Sequence, residues 1–248
     1  MVAAGTKGIG LACAKALLAE GCRVSVCSRS AENLERAKTE LPGLHAFPCD
    51  VTRAEDLDAW HRAVQAELGE PDIVVTNTGG PPAGPLSQMT DEQWKAGVDA
   101  TLLNVVRLVR LVAPGMAARG WGRIVHITSL VAKEPSDLLP ISSTLRAGLM
   151  ALTRLQANEL AASGVTVNSV LPGHTLTDRQ LHLANVRAER LGITPSEALQ
   201  RQADEVPMKR LADPAEIAAA VAFLCSVPAA YITGVNLLVD GGLTRGLG

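Results

Sequence analysis

Aromatic residues are scarce in this sequence of 248 residues, which has two Phe, one Tyr and three Trp. So few rings offer no platform for stacking bases. The 23 Lys and Arg are balanced by 25 Asp and Glu and form no basic tract, so a phosphate-tracking groove is missing too, and nucleic acid is not expected as a partner. No apolar run reaches the roughly 18 residues that a membrane span needs. The N-terminus has neither a basic flank nor an apolar signal core, so the expectation is a cytoplasmic protein without a membrane partner. The five cysteines (Cys13, Cys22, Cys27, Cys49, Cys225) are odd in number and form no Cys-x-x-Cys pair, which argues against a metal site or a disulfide framework. The first four fall in apolar patterns or at strand ends, as small reduced core residues do.

What is present is an alternation. Short apolar runs suited to buried strands, at Arg23–Cys27, Ala46–Pro48, Ile73–Thr76, Arg123–Thr128, Thr166–Leu171 and Asn236–Val239, are separated by segments of helical period. The helical segments are about Ile9–Glu20, Ala31–Glu40, Ala54–Leu68, Asp91–Arg119, Ser142–Ala162 and Pro214–Ser226. Thr90-Asp91-Glu92-Gln93 and Asp213-Pro214-Ala215-Glu216 carry helix-start signals. This is the pattern of an α/β protein with a doubly wound, Rossmann-type parallel sheet, and no linker or repeat divides residues 1–248 into more than a single domain. Met1-Val2-Ala3-Ala4 leaves room for only a stub of the first, central strand, or for a strand that begins upstream of Met1. The Pro/Gly-rich stretch from Gly79 to Pro85 reads as a loop at the carboxyl edge, where such sheets bind ligands.

Gly5-Thr6-Lys7-Gly8-Ile9-Gly10 opens the first helix. Glycines there let the backbone approach a pyrophosphate, to which the helix end presents unpaired N–H groups, although such turns also serve simply to pack a helix on a strand. The following strand ends in Ser28-Arg29-Ser30, where an acid would bond a ribose diol and a cation would suit a 2′-phosphate. Arg29 therefore points to NADP(H) rather than NAD(H).

Further marks extend along the chain: Asp50-Val51 after the next strand, Asn77-Thr78-Gly79, Gly122-Arg123-Ile124-Val125 leading to Ser129, Asn168 through Pro172-Gly173, and Tyr231 through Gly242. In this order and spacing the chain resembles the short-chain dehydrogenase/reductase family, over essentially its whole length and most of all the 3-oxoacyl-(acyl-carrier-protein) reductase-like members. The resemblance implies a seven-stranded parallel sheet, NAD(P)(H) as cofactor, a small alcohol or carbonyl substrate, and a homodimer or homotetramer. It implies cofactor contacts from Gly5, Thr6, Lys7, Gly8, Ile9, Gly10, Arg29, Asp50, Val51, Asn77, Thr78, Gly79, Arg146, Pro172 and Gly173. Lys7 and Arg29 stand where NADP(H)-preferring members carry basic residues.

The departures bear on the chemistry. Ala4 stands at the family's first glycine and Thr101 at its active-site asparagine, while Ser129 matches its substrate-polarising serine. Where the family has a proton-transferring tyrosine and a lysine that lowers its pKa, this chain has Ser142 and Arg146. Ser129, Ser142 and Arg146 are therefore the candidate catalytic set, with ordered water, His174, Lys133 or Glu134 as other proton sources. His126 reads as a hydrogen-bonded core residue, and His45, His61 and His182 as surface positions. Residues 174–206 form a polar insert that in the family covers the substrate; an oligomer contact or a solvated helix pair is the other reading. Two functions remain: an NADP(H)-dependent oxidoreductase with a non-standard proton-transfer site, or a non-catalytic NADP(H)-binding sensor or assembly protein on the same scaffold.

Overall fold

A computed structural model describes residues 1–246. The apolar runs form six parallel strands: β1 (Ser25–Ser28), β2 (His45–Pro48), β3 (Ile73–Thr76), β4 (Gly122–Ile127), β5 (Val165–Pro172) and β6 (Asn236–Val239). β2 pairs with β1, while β3, β4, β5 and β6 lie side by side in that order. Val2 joins the two groups. It bridges Val26 on one side and Val75 on the other, with Val2 N–H donating to the Ser25 carbonyl (2.8 Å) and Ala3 N–H to that of Val75 (2.9 Å). Val2 and Ala3 thus occupy the central strand position, and through them the sheet is continuous.

Helices α1 (Gly8–Ala19), α2 (Ala31–Glu40), α3 (Ala54–Leu68), α4 (Asp91–Val98), α5 (Asn104–Arg119), α6 (Pro140–Leu160) and α9 (Pro214–Cys225) flank the sheet, and α7 (Asp178–Leu191) and α8 (Pro195–Glu205) follow β5 as a separate pair. Every residue of β4 is buried. Because successive side chains point to opposite faces, Ile124 packs into a core with Leu108 and Val112 of α5, whereas Val125 joins Ile217 and Val221 of α9. Burial on both faces explains the apolar runs of β3 and β4, whereas β2 and β6, nearer the sheet edges, are only half-buried. The single helix expected over Asp91–Arg119 is interrupted by a π turn at Asp99–Leu103, where Asn104 N–H reaches back five residues to the Asp99 carbonyl. The Arg107 guanidinium anchors this bulge, bonding the Asp99 carboxylate (3.1 Å) and the Thr52 carbonyl (2.8 Å). The helix-start signals at Thr90 and Asp213 are both reciprocal capping boxes.

His126 of β4 is fully buried between two partners. Its Nε2–H donates to the Gln156 side-chain oxygen (2.9 Å), and Nδ1 accepts from the Thr76 hydroxyl (2.8 Å), an assignment that leaves the ring neutral and satisfied. His61 is not the surface residue its polarity suggested: it lies on the inward face of α3 beside Trp60, and burial lowers its pKa. Its Nε2 has no partner.

Two outcomes follow. Ala4 holds a left-handed φ of +46°, which costs a residue bearing a Cβ. Ala4→Gly is expected to stabilise the protein by about 1 kcal/mol, a rise in Tm of about 2–4 °C at this size; a lower Tm in calorimetry would refute the strain. Burial lowers the His126 pKa to about 4, with Gln156 opposing. The unfolded imidazole titrates near ~6.5, so His126 contributes stability that is complete above that pH and lost as pH falls toward 4. Between about pH 7.5 and 5, urea unfolding should show wild type losing about 2 kcal/mol more than His126→Gln; equal losses would contradict the assignment. His174, also lowered to about 4 by burial and Arg187, adds a pH dependence of the same sign to both proteins.

Candidate active site

The carboxyl ends of β3, β4 and β5 and the amino end of α1 open onto one cleft of about 500 Å³, a volume suited to a small ligand. Its floor begins with the glycine turn. Lys7 caps α1 without a side-chain hydrogen bond, and no acid stands in the first turn, so the helix end is available to an anion. Gly8 has φ +54°, and a Cβ at Gly10 would lie 2.5 Å from the Ala4 carbonyl oxygen and 2.8 Å from Asn77 Nδ2. Only glycine permits this approach of α1 to the end of β3, and Asn77 Nδ2 fastens it by donating to the Ala4 carbonyl (3.3 Å).

The candidate residues divide by position. Lys7, Gly8, Ile9, Asn77, Thr78 and Gly79 line one side of the cleft, and Ser129, Ser142, Arg146, Pro172 and Gly173 the other. Gly5, Thr6 and Gly10 are packed inside the turn; a Cβ at Gly5 would sit 2.7 Å from the Val26 side chain. Arg29, Asp50 and Val51 lie beyond the cleft, past the ends of β1 and β2. There Arg29 approaches the Asp50 carboxylate (3.7 Å) with its side chain 76% exposed, while Asp50 also accepts from Thr52 N–H and hydroxyl. The uncapped helix end, the close glycine turn and the cleft together suit a dinucleotide with its phosphates at α1.

Ser129 and Thr128 follow β4. Thr128 is pinned to β5 through its N–H (2.9 Å) and hydroxyl (3.1 Å), both donating to the Val170 carbonyl. Ser129 Oγ accepts only a long bond from Val131 N–H (3.4 Å), leaving its hydroxyl hydrogen without an acceptor among the described residues. Across from it, α6 carries three consecutive hydroxyls. Ser143 donates to the Leu139 carbonyl (2.9 Å) and Thr144 to that of Pro140 (3.0 Å), one helical turn back in each case. Ser142 does neither: its Oγ accepts from Arg146 Nε–H (3.2 Å), and its hydroxyl hydrogen has no acceptor among the described residues.

Arg146, one turn later on α6, is 6% exposed. Its Nη1 donates to the Ile127 (2.9 Å) and Thr128 (2.8 Å) carbonyls at the end of β4. With Nε on Ser142, three of its five N–H groups are engaged, and Nη2 has no protein acceptor among the described residues. Burial, with the nearby Arg179, lowers its pKa to about 10, so it is fully charged at neutral pH.

The remaining proton-source candidates stand outside this arrangement. His174 turns toward Glu205 (3.9 Å), Lys133 borders a separate depression with Arg154 and Asn236, and Glu134 accepts from Arg245 N–H (2.8 Å). Thr101 is fully buried in the π turn with its Oγ1 unpartnered and does not line the cleft. The lining also includes Arg179, which the sequence did not single out, and His182, which was read as a surface position and is exposed at the cleft, both in the first turns of α7. Their positions seven and ten residues after Pro172 in a helix following β5 were the available signal. Arg179 Nη2 donates to the Pro81 carbonyl (2.6 Å), tying α7 to the loop after β3.

The chain matches the family model described as enoyl-(acyl carrier protein) reductase over residues 3–244. It is 34% identical to the 3-oxoacyl-(acyl-carrier-protein) reductase of Vibrio cholerae, covering 98% of this chain and 96% of that one. Among solved structures, a variant of actinorhodin polyketide ketoreductase with NADPH superposes with a TM-score of 0.96 at 34% identity, over 99% of this chain and 96% of that one. The L-sorbose reductase of Gluconobacter frateurii, complexed with NADPH and L-sorbose, gives 0.92 at 33% identity, with the same coverage. With the glycine turn, the parallel sheet and the cleft at its carboxyl edge, these likenesses place the chain among the oxidoreductases of the short-chain dehydrogenase/reductase family.

Proposed function

We propose that this protein interconverts a small carbonyl compound and its alcohol with NADP(H), using the Ser142 hydroxyl, polarised by Arg146, where the family uses a tyrosine and a lysine. One observation carries the reading. Arg146 Nε–H donates to Ser142 Oγ while the Ser142 hydroxyl hydrogen remains uncommitted in the cleft, facing the same space as Ser129.

NADP(H) is the cofactor, and when bound it supplies or accepts the hydride. The α1 amino end, Lys7 and the glycine turn would hold its phosphates, and Arg29 the 2′-phosphate. Ser129 would bond the substrate oxygen and fix the carbonyl. As negative charge develops on that oxygen, Ser142 donates its proton, and Arg146 Nε–H stabilises the charge left on Oγ. Serine is a far weaker acid than a phenol, but its acidity is close to that of the product alcohol, so the transfer is nearly balanced. Water in the open cleft then returns a proton to Ser142. The two helices α7 and α8 would cover the substrate, and Arg179 holds the first of them to the opposite loop. A reduced, cytoplasmic setting suits the five free cysteines. Assembly as a homodimer or homotetramer belongs to the same reading, and the 65% exposed Leu155 on α6 supplies apolar surface for it.

Ser142→Ala is expected to lower kcat by about 10²-fold or more, the contribution of a positioned general acid. NADPH affinity, read by fluorescence titration, should change by less than about threefold, since this hydroxyl serves the substrate oxygen. Undiminished kcat in this variant would refute the role.

A further inference from the structure

Five titratable side chains line the cleft: Lys7, Arg146, Asp178, Arg179 and His182. Asp178, the one carboxylate lining it among the described residues, lies at the rim and pairs with Lys7 (3.7 Å). Among the described residues neither Arg146 nor Arg179 has a carboxylate partner; Arg146 is held by two main-chain carbonyls and Ser142, and Arg179 by the Pro81 carbonyl. These bonds satisfy some N–H groups but neutralise no charge. Two guanidiniums are thus largely withdrawn from water and face one cleft, close enough for Arg179 to lower the pKa of Arg146. Holding like charges in a desolvated space is costly unless an anion completes it.

We propose that Arg146 Nη2 and Arg179 form an oxyanion seat for the substrate, which is an oxo acid whose carboxylate lies close to its reacting carbonyl. This rests on the carbonyl chemistry proposed above. The proximity follows from Arg146 itself: Nε holds Ser142 and Nη1 the two main-chain carbonyls, so one planar guanidinium serves the proton donor through Nε and has only the N–H groups of Nη2 left for a carboxylate oxygen beside it. Arg179 comes from α7 and spans to Pro81, so the charge of the substrate is met by the same strap that closes the cleft. A carboxylate there offsets the mutual repulsion of the two cations, whereas a neutral ketone leaves it in place. The other oxyanion source is a phosphate of the nucleotide, and the two are separable by experiment.

The test uses the full chain saturated with NADP⁺. Calorimetry compares hexanoate with hexanamide, and kcat/KM with NADPH compares 2-oxohexanoate with its methyl ester, which is the better electrophile. Hexanoate is expected to bind at least about tenfold more tightly than hexanamide, and the acid to be preferred to the ester by a similar factor, with both preferences collapsing toward one in Arg179→Gln. NADPH titration of Arg179→Gln reads the phosphate alternative: preferences retained while NADPH binding weakens by about tenfold would overturn the proposal. Equal or absent binding of hexanoate would also overturn it, even where neutral ketones are reduced. Selective hexanoate binding without reduction of any oxo acid or ketone would instead leave the anion seat standing and defeat the carbonyl chemistry.

Discussion

The Arg146 guanidinium joins α6 to the end of β4, and the geometry of the cleft depends on that junction. Two carbonyls that emerge from β4, at Ile127 and Thr128, would face a buried space without donors if Arg146 were lost. Orphaned buried carbonyls cost about 1–3 kcal/mol each, so this contact determines where Ser129 can sit relative to Ser142. The same side chain then polarises the hydroxyl one turn before it. A lysine, with a single ammonium, could not bond two carbonyls and a serine from a planar fork in the same way. At the positions where the family resemblance has tyrosine and lysine, Ser142 and Arg146 form one bonded pair, and the guanidinium ties α6 to the end of β4.

The opposite wall depends on close backbone approach. Val2 supplies the central strand with a single bridging residue, and Asn77 fastens the glycine turn to the end of β3. Ala4 adopts a left-handed conformation in that turn, at the place where the family resemblance has glycine, so the backbone path is kept and the extra Cβ is accommodated as strain. Strain and fit occur together at the cleft, while the two-faced core of β4 between α5 and α9 supplies the rigid reference against which both walls are held.

Much of this was legible because short apolar runs and helical apolar periods leave a plain signal. Ile73–Thr76, Asn236–Val239, Ala31–Glu40 and Ala54–Leu68 have the same bounds in the sequence reading and in the structure. The break at Asp99–Leu103 was not legible, since one extra residue in a helix barely alters its apolar period. His61 was misjudged by residue type, although Leu57, Trp60, His61 and Val64 share the helical spacing that turns them inward. The serine and arginine at 142 and 146 could be placed on one helix face from spacing alone. Their mutual bond, the grip on β4 and the entry of Arg179 and His182 from α7 depend on how separate elements pack, and no local pattern records that.

The most direct test of the central claim is the pH profile of kcat/KM for ketone reduction between about pH 6 and 9, at saturating NADPH. A serine donor beside an arginine whose pKa of about 10 lies above that range has no ionisation midpoint within it, so the profile should be nearly flat. A break within that range that His182→Gln abolishes would assign proton delivery to His182, which also lines the cleft, and contradict the account.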